Sequence, residues 1–368
     1  MKKELFDELV ESVKESGAIL RGEMEPSRVF IAPGIEKSKL RILITGAAGF
    51  LGSHLVEHLL VNTDWDIVGL VRLGRVGDLQ RLTSIRDWDK HKDRVHIVWH
   101  DLRSPLNPTV RAAIGPLDYI IHAAGETHVD RSIVDATPFV LSNVLGTSNM
   151  LEFARTVPGL RWFCQISTDE VLGPAPIGVS FSEDARYNPT NPYAASKGAA
   201  ECLVLAAVNS HRELHAFVVR LMNLVGEKQN GEKFVPLVIR NVLNGDVVTI
   251  HGDSTKTISG SRHYLHCRNA ADGLLFLLEH ASNREIYHIA GEREISNLSL
   301  AKLIADIIGL PLKWEMVDFH GFRPGHDLRY SLDSSKIRLL GWRQPKSLEE
   351  SITKLVQWTL RNPSWLIV

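Results

Sequence analysis

The chain has 368 residues, of which 44% are hydrophobic, enough to bury the cores of two domains or of one large domain. Its 42 Lys and Arg residues balance 43 Asp and Glu residues, which excludes a general electrostatic attraction to nucleic acid or to a membrane surface. The 3 cysteines lack metal-ligand spacing and no apolar run is long enough to span a membrane, so we expect a cytoplasmic protein with reduced thiols and no metal site.

Residues 1–39 form an N-terminal extension before the first predicted strand. Leu5, Leu9 and Val13 recur at helical spacing, which predicts an amphipathic helix that ends near Gly17. This helix either packs on its own subunit or makes a contact between subunits.

Predicted strands and helices alternate from Leu40 onward. The predicted strands cover residues 41–45, 67–71, 95–99, 119–123, 161–166 and 215–221. The predicted helices cover about residues 53–61, 79–87, 192–210 and 348–361. This alternation predicts an α/β fold, a Rossmann-type doubly wound parallel sheet with helices on both faces. We place the dinucleotide-binding domain at residues 40–222 and a smaller substrate-binding domain mainly at 223–368, with segments that return to the first domain.

Glycines follow the first predicted strand and precede a helix. Gly46, Gly49 and Gly52 have the spacing GxxGxxG, which lets a backbone approach a pyrophosphate at a helix N-terminus. Ligands of such sheets bind beyond the carboxyl ends of the strands, so we expect a dinucleotide there. The end of the second strand departs from the usual pattern. Val71 stands where NAD-binding folds usually carry an acidic residue, and Arg72 and Arg75 follow it.

Two polar clusters carry the chemistry. The first comprises residues 167–170 at the end of an apolar strand, and the second is the pair Tyr193 and Lys197, one turn apart on a helix. A lysine beside a phenol favours the phenolate, so we expect Lys197 to lower the pKa of Tyr193 and make it a usable base. Adjacent residues of a strand point to opposite faces, so the chain must turn directly after Thr168 for both following carboxyls to reach one ligand.

These motifs, together with residues 126–133, 191–197 and 323–330, identify a resemblance that covers about residues 40–362. The chain resembles the extended short-chain dehydrogenases/reductases, and within them the nucleotide-sugar 4,6-dehydratases of the dTDP-glucose type. The resemblance implies oxidation of the sugar at C4, removal of water across C5 and C6, and return of the hydride to C6. It also implies a homodimer that holds NAD. Arg72 and Arg75 leave NADP possible, because they could pair with its 2′-phosphate.

The resemblance assigns the catalytic roles. Tyr193 is the base for the C4 hydroxyl, Glu170 the base for C5, and Asp169 the acid for the C6 hydroxyl. Thr168 hydrogen-bonds near C4, and Lys197 positions the cofactor ribose. Asp169 must be protonated to act, so we expect burial and the Glu170 charge to raise its pKa.

The resemblance also gives two sets of binding residues. Cofactor contacts are expected from Gly46, Gly49, Phe50, Leu51, Gly52, Arg72, Asp101, Leu102, Ala123, Ala124, Asn143, Ser167, Tyr193 and Lys197. Substrate contacts are expected from Thr127, His128, Asn223, Lys233, Arg262, Arg323 and His326. Asp101 could instead be a cap or turn residue, and Arg262 a surface arginine. Leu224 and Val225 replace the Asn and Tyr usual in the dTDP-glucose enzymes, so the lining of that loop is partly changed.

Two alternatives remain open. A 4-epimerase or decarboxylase of the same family shares the glycines, Tyr193 and Lys197, but epimerases generally lack an Asp-Glu pair after Ser-Thr. A non-catalytic cofactor-binding scaffold would explain the extension, although the intact catalytic residues argue against it.

We predict that deleting residues 1–38 leaves dinucleotide binding and chemistry intact, because no expected site residue lies in them. Binding assays and sedimentation of the truncated protein test this. A folded truncation that no longer binds the dinucleotide would contradict the prediction, whereas a changed oligomer size would support an interface role for the helix.

Overall fold

The computed structural model describes residues 39–72, 79–318 and 328–367. The expected helix of the extension, Arg75, Arg323 and His326 lie outside these ranges. The strands, in chain order, are β1 Arg41–Thr45, β2 Asp66–Val71, β3 Val95–Trp99, β4 Tyr119–His122, β5 Trp162–Thr168, β6 Ala216–Leu221, β7 Leu224–Val225, β8 Val248–Gly252, β9 Ser261–Arg262, β10 Leu265–His266, β11 Ile286–Ile289, β12 Ile295–Ser296 and β13 Trp314–Asp318.

The α-helices are α1 Phe50–Asn62, α2 Gln80–Thr83, α3 Trp88–His91, α4 Pro108–Ile114, α5 Val129–Val134, α6 Thr137–Phe139, α7 Gly146–Ala154, α8 Pro192–Ser210, α9 Phe234–Asn244, α10 Cys267–His280, α11 Asn297–Ile308, α12 Ser335–Leu339 and α13 Leu348–Arg361. A π-helix, Val140–Leu145, precedes α7, and short 3-10 turns cover Lys92–Arg94, Asp169–Leu172 and Pro363–Leu366.

The main sheet has seven strands in the order β3-β2-β1-β4-β5-β6-β11. Each neighbouring pair is parallel. The order reverses between β1 and β4, the position at which doubly wound sheets open a crevice for ligands. The predicted Rossmann-type sheet is therefore confirmed.

Helices cover both faces of this sheet. Along β1, Ile42 and Ile44 pack into a core shared with α1 and α10, whereas Leu43 packs into a core shared with α4, α7 and α8. Strands buried on both faces are continuously apolar, which is why the strand sequences lack alternation.

Side-chain caps begin two helices where the sequence predicts. The Asn191 side chain accepts a hydrogen bond from the Ala194 amide at 2.9 Å, and Pro192 opens α8. Ser347 accepts from the Glu350 amide at 3.1 Å and begins α13.

Two predicted helices differ from the structure. Helix α1 begins at Phe50 instead of about residue 53, because Gly49 is its N-cap, and Gly52 therefore lies inside the first turn. The single helix expected at residues 79–87 was wrong: α2 ends at Thr83, and Ser84, with a φ of −90° and a ψ of 5°, leaves the helical conformation. Asp87, with the left-handed φ of 58°, precedes the separate short helix α3.

The C-terminal part has a core of its own. This core is formed by apolar side chains from α9, α11, α13 and β8, among them Val238, Ile304 and Ile352. Strand β11 lies beside β6 in the main sheet. Leu40 to Val368 nevertheless form one compact unit, so the boundary at residue 222 stays a prediction.

We predict that Gly52→Ala destabilises the protein by about 1–3 kcal/mol and weakens dinucleotide binding. A Cβ at Gly52 would lie 2.1 Å from the Gly46 carbonyl oxygen and 2.8 Å from the Ala47 Cα, backbone atoms that cannot turn aside. Gly198→Ala in α8 is the matched control, because its Cβ would lie 3.5 Å from the Tyr187 ring, an ordinary contact. Thermal unfolding of both variants tests this, and equal stabilities would contradict it.

Candidate active site

The carboxyl edge of the sheet collects most of the predicted site residues. Gly46 follows β1, Arg72 follows β2, Asp101 follows β3, Ala123 and Ala124 follow β4, Thr168 ends β5 and Asn223 lies just beyond β6. Because parallel strands end at the same edge of a sheet, this edge contributes residues to both the expected cofactor contacts and the expected substrate contacts.

The glycine loop forms a narrow cradle between β1 and α1. Gly46 has a φ of +70°, and a Cβ there would lie 3.0 Å from the Ala124 Cα. The N-terminus of α1 has no side-chain cap and no acidic residue in its first turn, and Phe50 and Leu51 begin the helix. Free amides at a helix N-terminus beside a surface without side chains suit a pyrophosphate. The loop therefore fits a dinucleotide.

The chain turns directly after Thr168, as predicted. Thr168 is still extended, with a φ of −139° and ψ of 154°, and a 3-10 turn begins at Asp169. The Thr168 hydroxyl donates to Asp169 Oδ1 at 2.9 Å and accepts a longer contact of 3.4 Å from the Glu170 amide. In an extended strand the two carboxyls would point to opposite faces of the sheet, and the turn removes that constraint.

Asp169 is the buried member of the carboxyl pair, with 4% of its surface exposed. Burial raises its pKa to about 6, and the hydrogen bond from Thr168 and the positive charge of Arg262 oppose the rise. The expected effect of burial is confirmed, whereas the backbone amide of Glu170 lowers the pKa by hydrogen bonding to the Asp169 carboxyl. Oδ2 has no hydrogen-bond partner within the described part of the chain. This oxygen can carry a proton for a ligand.

Glu170 is half-buried and connects to the start of α8. Its Oε2 accepts a hydrogen bond from Asn191 Nδ2 at 3.0 Å. Since Asn191 also caps α8, one residue links the second carboxyl to the helix that carries Tyr193. Sequence reasoning used Asn191 only as the helix start and missed this second contact.

Tyr193 and Lys197 are both buried, each with 7% exposure. The expectation that Lys197 lowers the pKa of Tyr193 was wrong. Burial raises the pKa of Tyr193, and the charges of Glu170 and Asp169 raise it further against a hydrogen bond with Thr168. Lys197 Nζ instead donates to the Ile166 carbonyl at 2.6 Å.

Two further residues join the helices around Tyr193. Asn143, in the π-helix, donates to Ser196 Oγ at 2.9 Å and accepts from the Glu126 amide at 2.8 Å. Ser167 donates to the buried carboxylate of Glu201, which lies one turn beyond Lys197. Sequence reasoning missed Glu201, although its spacing of four residues from Lys197 was a usable signal.

Arg72 is held by carboxylates. It donates to Glu126 Oε1 at 2.8 Å and lies 4.0 Å from Asp101 Oδ2. Asp101 also accepts from the Arg103 side chain. These ion pairs occupy Arg72 and Asp101, two of the expected cofactor contacts, whereas Leu102 is buried in the adjacent core.

The expected substrate residues divide between the site and the surface. Arg262 is near enough to Asp169 to lower its pKa, and its guanidinium lies over the Tyr330 ring at 4.6 Å. His128 Nε2 is 3.5 Å from Glu232, next to Lys233, which caps α9. Thr127 and Asn223 are exposed.

Within residues 39–72, 79–318 and 328–367, no group of His, Cys, Asp and Glu residues is arranged to hold a metal ion. None of the helices in these ranges combines the length and the apolar character that a bilayer crossing requires.

Comparison with known proteins identifies the family. The model of the NAD dependent epimerase/dehydratase family matches residues 42–290. A dTDP-glucose 4,6-dehydratase of Neisseria gonorrhoeae is 36% identical over 89% of this chain and 97% of its own length.

Two crystal structures are similar in fold. The dTDP-glucose 4,6-dehydratase of Streptomyces venezuelae, with NAD bound, is 33% identical with a TM-score of 0.78 over 89% of this chain and 98% of its own. The UDP-glucose 4-epimerase of Thermus thermophilus, a complex with NAD, is 26% identical with a TM-score of 0.76 over 86% and 98% of the two chains. The protein therefore belongs to the NAD dependent epimerase/dehydratase family, and its sequence relates it to the dTDP-glucose 4,6-dehydratases.

Proposed function

We propose that the protein is an NAD-dependent nucleotide-sugar 4,6-dehydratase that converts a nucleotide hexose of the dTDP-glucose type to its 4-keto-6-deoxy product. The observation that carries this proposal is the turn after Thr168. It places a buried carboxyl that protonates readily, Asp169, beside a second carboxyl and the Tyr193 phenol. The relatives named dTDP-glucose 4,6-dehydratase support the same reaction.

The chain's own residues account for the proton movements. Tyr193 removes the proton from the C4 hydroxyl. The Glu170 carboxylate then takes the C5 proton, the electron pair of that bond forms the C5–C6 double bond, and Asp169 protonates the departing C6 hydroxyl. A bound dinucleotide would supply the redox chemistry, hydride removal at C4 and hydride return at C6, and the protonated Glu170 would give its proton back to C5. Gly46, Gly49 and Gly52 would hold its pyrophosphate and Lys197 its ribose.

The cycle leaves a proton on Tyr193 and removes one from Asp169. The Thr168 hydroxyl hydrogen-bonds with Tyr193 and donates to Asp169 at 2.9 Å, so a single side chain connects the two groups. Proton transfer through Thr168 would therefore restore both residues for the next turnover. For Tyr193 to lose its proton first, Lys197 must turn its ammonium from the Ile166 carbonyl towards the phenol.

Elimination rather than epimerisation is favoured by the carboxyl pair. Epimerisation needs a base at C4 and a dinucleotide, which Tyr193 and the glycine loop supply. It has no use for a protonated carboxyl beside a second carboxylate. The raised pKa of Asp169 is thus a feature that dehydration requires and epimerisation does not.

We also propose a homodimer and a cytoplasmic location. Helix α8 presents Ala195, Ala199, Cys202 and Ala206 to solvent along one stripe. The adjoining π-helix exposes Val140, Leu141 and Leu145. Together they form an apolar surface that a second copy of the chain would cover. The three cysteines are free thiols, as in proteins of a reducing compartment.

We predict that Asp169→Asn and Glu170→Gln each slow water loss by about two to four powers of ten, the usual worth of a positioned acid or base. Oxidation at C4 should persist in both variants. The parent rate should fall as the pH rises through the pKa of Asp169, about 6, because the acid must be protonated. Mass spectrometry of dTDP-glucose, UDP-glucose and GDP-mannose after incubation measures the loss of water.

The control is Glu152→Gln, which neutralises an exposed carboxylate on α7. It should keep the parent rate. If Asp169→Asn and Glu170→Gln also dehydrate at the parent rate, the assignment of the pair to elimination is wrong and the epimerase alternative gains.

We predict that NAD is the working cofactor, because Glu126 holds Arg72 and a 2′-phosphate would have to displace it. Arg72→Ala should leave NAD affinity nearly unchanged. Glu126→Gln should release Arg72 and raise NADP affinity relative to NAD, since the freed guanidinium can pair with the phosphate. Titrations of cofactor-stripped protein test this. A strong NADP preference in the parent that Arg72→Ala removes would overturn the NAD assignment.

A further inference from the structure

Helix α8 carries a third buried ionisable residue on the face of Tyr193 and Lys197. Glu201 lies four residues beyond Lys197, so the three side chains occupy successive turns. Its exposure is 0%. A carboxylate removed from water is costly unless donors compensate for the lost hydration, so its partners must account for its burial.

Three side chains from different segments donate to the Glu201 carboxylate. Arg220 on β6, itself 1% exposed, donates from Nη2 to Oε2 at 2.8 Å and from Nε at 3.1 and 3.2 Å to the two oxygens. Tyr187 donates to Oε2 at 2.8 Å, and Ser167 donates to Oε1. The guanidinium of Arg220 neutralises the charge of the Glu201 carboxylate, and both carboxylate oxygens accept hydrogen bonds.

Ser167 connects this network to the catalytic turn, because it directly precedes Thr168 at the end of β5. Lys197 makes a second bond to the same strand, at the Ile166 carbonyl. Two residues one turn apart on α8 therefore hold two consecutive residues of β5. A shift of the helix along the strand would break both bonds and separate Tyr193 from Thr168.

The charge of Glu201 also acts on Lys197. Burial lowers the pKa of Lys197 to about 8, and Glu201 opposes that fall. His122 faces Lys197 from β4 and is neutral, because burial lowers its pKa to about 3. Arg220 and Tyr187 face Glu201 from the other side. Without the Glu201 charge, Lys197 would lose its proton at a lower pH.

We propose that Glu201 is a positioning residue, which acts through Ser167 and Lys197 to hold α8 and the end of β5 in the register that lets Tyr193, Thr168 and Asp169 meet one sugar. This inference rests on the proposed dehydratase function. Glu201 has no direct role in the chemistry.

Two variants distinguish a positioning role of Glu201 from a general contribution of its hydrogen bonds to stability. Ser167→Ala and Tyr187→Phe each remove one hydrogen bond to the same carboxylate, but only Ser167 lies on the strand end. Ser167→Ala should lower kcat by about 10-fold to 100-fold with little change in KM, as expected when catalytic groups are misplaced by about 1 Å. Tyr187→Phe should stay close to the parent. Equal kcat values for the two variants would overturn the proposal.

Glu201→Gln keeps the size of the side chain and removes its charge. It should lower kcat. Above the decline near pH 6 that Asp169 sets, it should also move to lower pH the second decline of the kcat profile, because Lys197 then loses its proton earlier. Thermal melts show whether this variant is folded, since it leaves Arg220 without its counter-charge. A folded Glu201→Gln protein with the parent profile and rate would overturn the proposal. If it does not fold, the comparison of Ser167→Ala with Tyr187→Phe decides.

NAD affinity as a function of pH separates failure of this inference from failure of the proposed function. The measurement needs no sugar. In the parent, NAD affinity should fall as Lys197 loses its proton, and in Glu201→Gln it should fall at lower pH. A parent that dehydrates no nucleotide sugar defeats the proposed function, yet the shift in NAD binding would still support the positioning role. No shift in a folded variant contradicts that role.

Discussion

The register between strand β5 and helix α8 is the constraint on which the site depends. Two adjacent carboxyls can contact one ligand only if the extended strand ends before them. The 3-10 turn that begins at Asp169 ends the strand directly after Thr168. The helix α8 must also begin where it brings Tyr193 close to these carboxyls. Asn191 fixes this position, because its side chain caps α8 and donates a hydrogen bond to Glu170. Lys197 fixes the next turn of the helix to the Ile166 carbonyl.

Burial is the largest cause of the pKa shifts of Asp169, Tyr193 and Lys197, and its direction depends on the charge of the ionised group. It raises the pKa of Asp169 to about 6, which favours the protonated acid. It also raises the pKa of Tyr193 and lowers that of Lys197 to about 8, which opposes a phenolate base. The same low-polarity environment that prepares the acid therefore makes the base depend on the position of the lysine ammonium.

Features with a local physical cause could be predicted from the sequence. The strands of the main sheet are largely apolar, and the caps at Asn191 and Ser347 are short-range hydrogen bonds. The turn after Thr168 follows from strand geometry once both carboxyls are required to reach one ligand. The end of α2 at Thr83 could not be predicted, because Ser84 is neither a glycine nor a proline that would mark it. The pKa of Tyr193 and the partners of Arg72 could not be predicted, because both depend on side chains from distant segments, such as Glu126 for Arg72.

The most direct test of the dehydratase reaction uses a nucleotide hexose carrying deuterium at C4. We expect a product that has lost one water, with a keto group at C4 and the deuterium at C6, because the hydride removed from C4 returns to C6. A product of unchanged mass with inverted C4 and the deuterium still at C4 would contradict it and identify an epimerase.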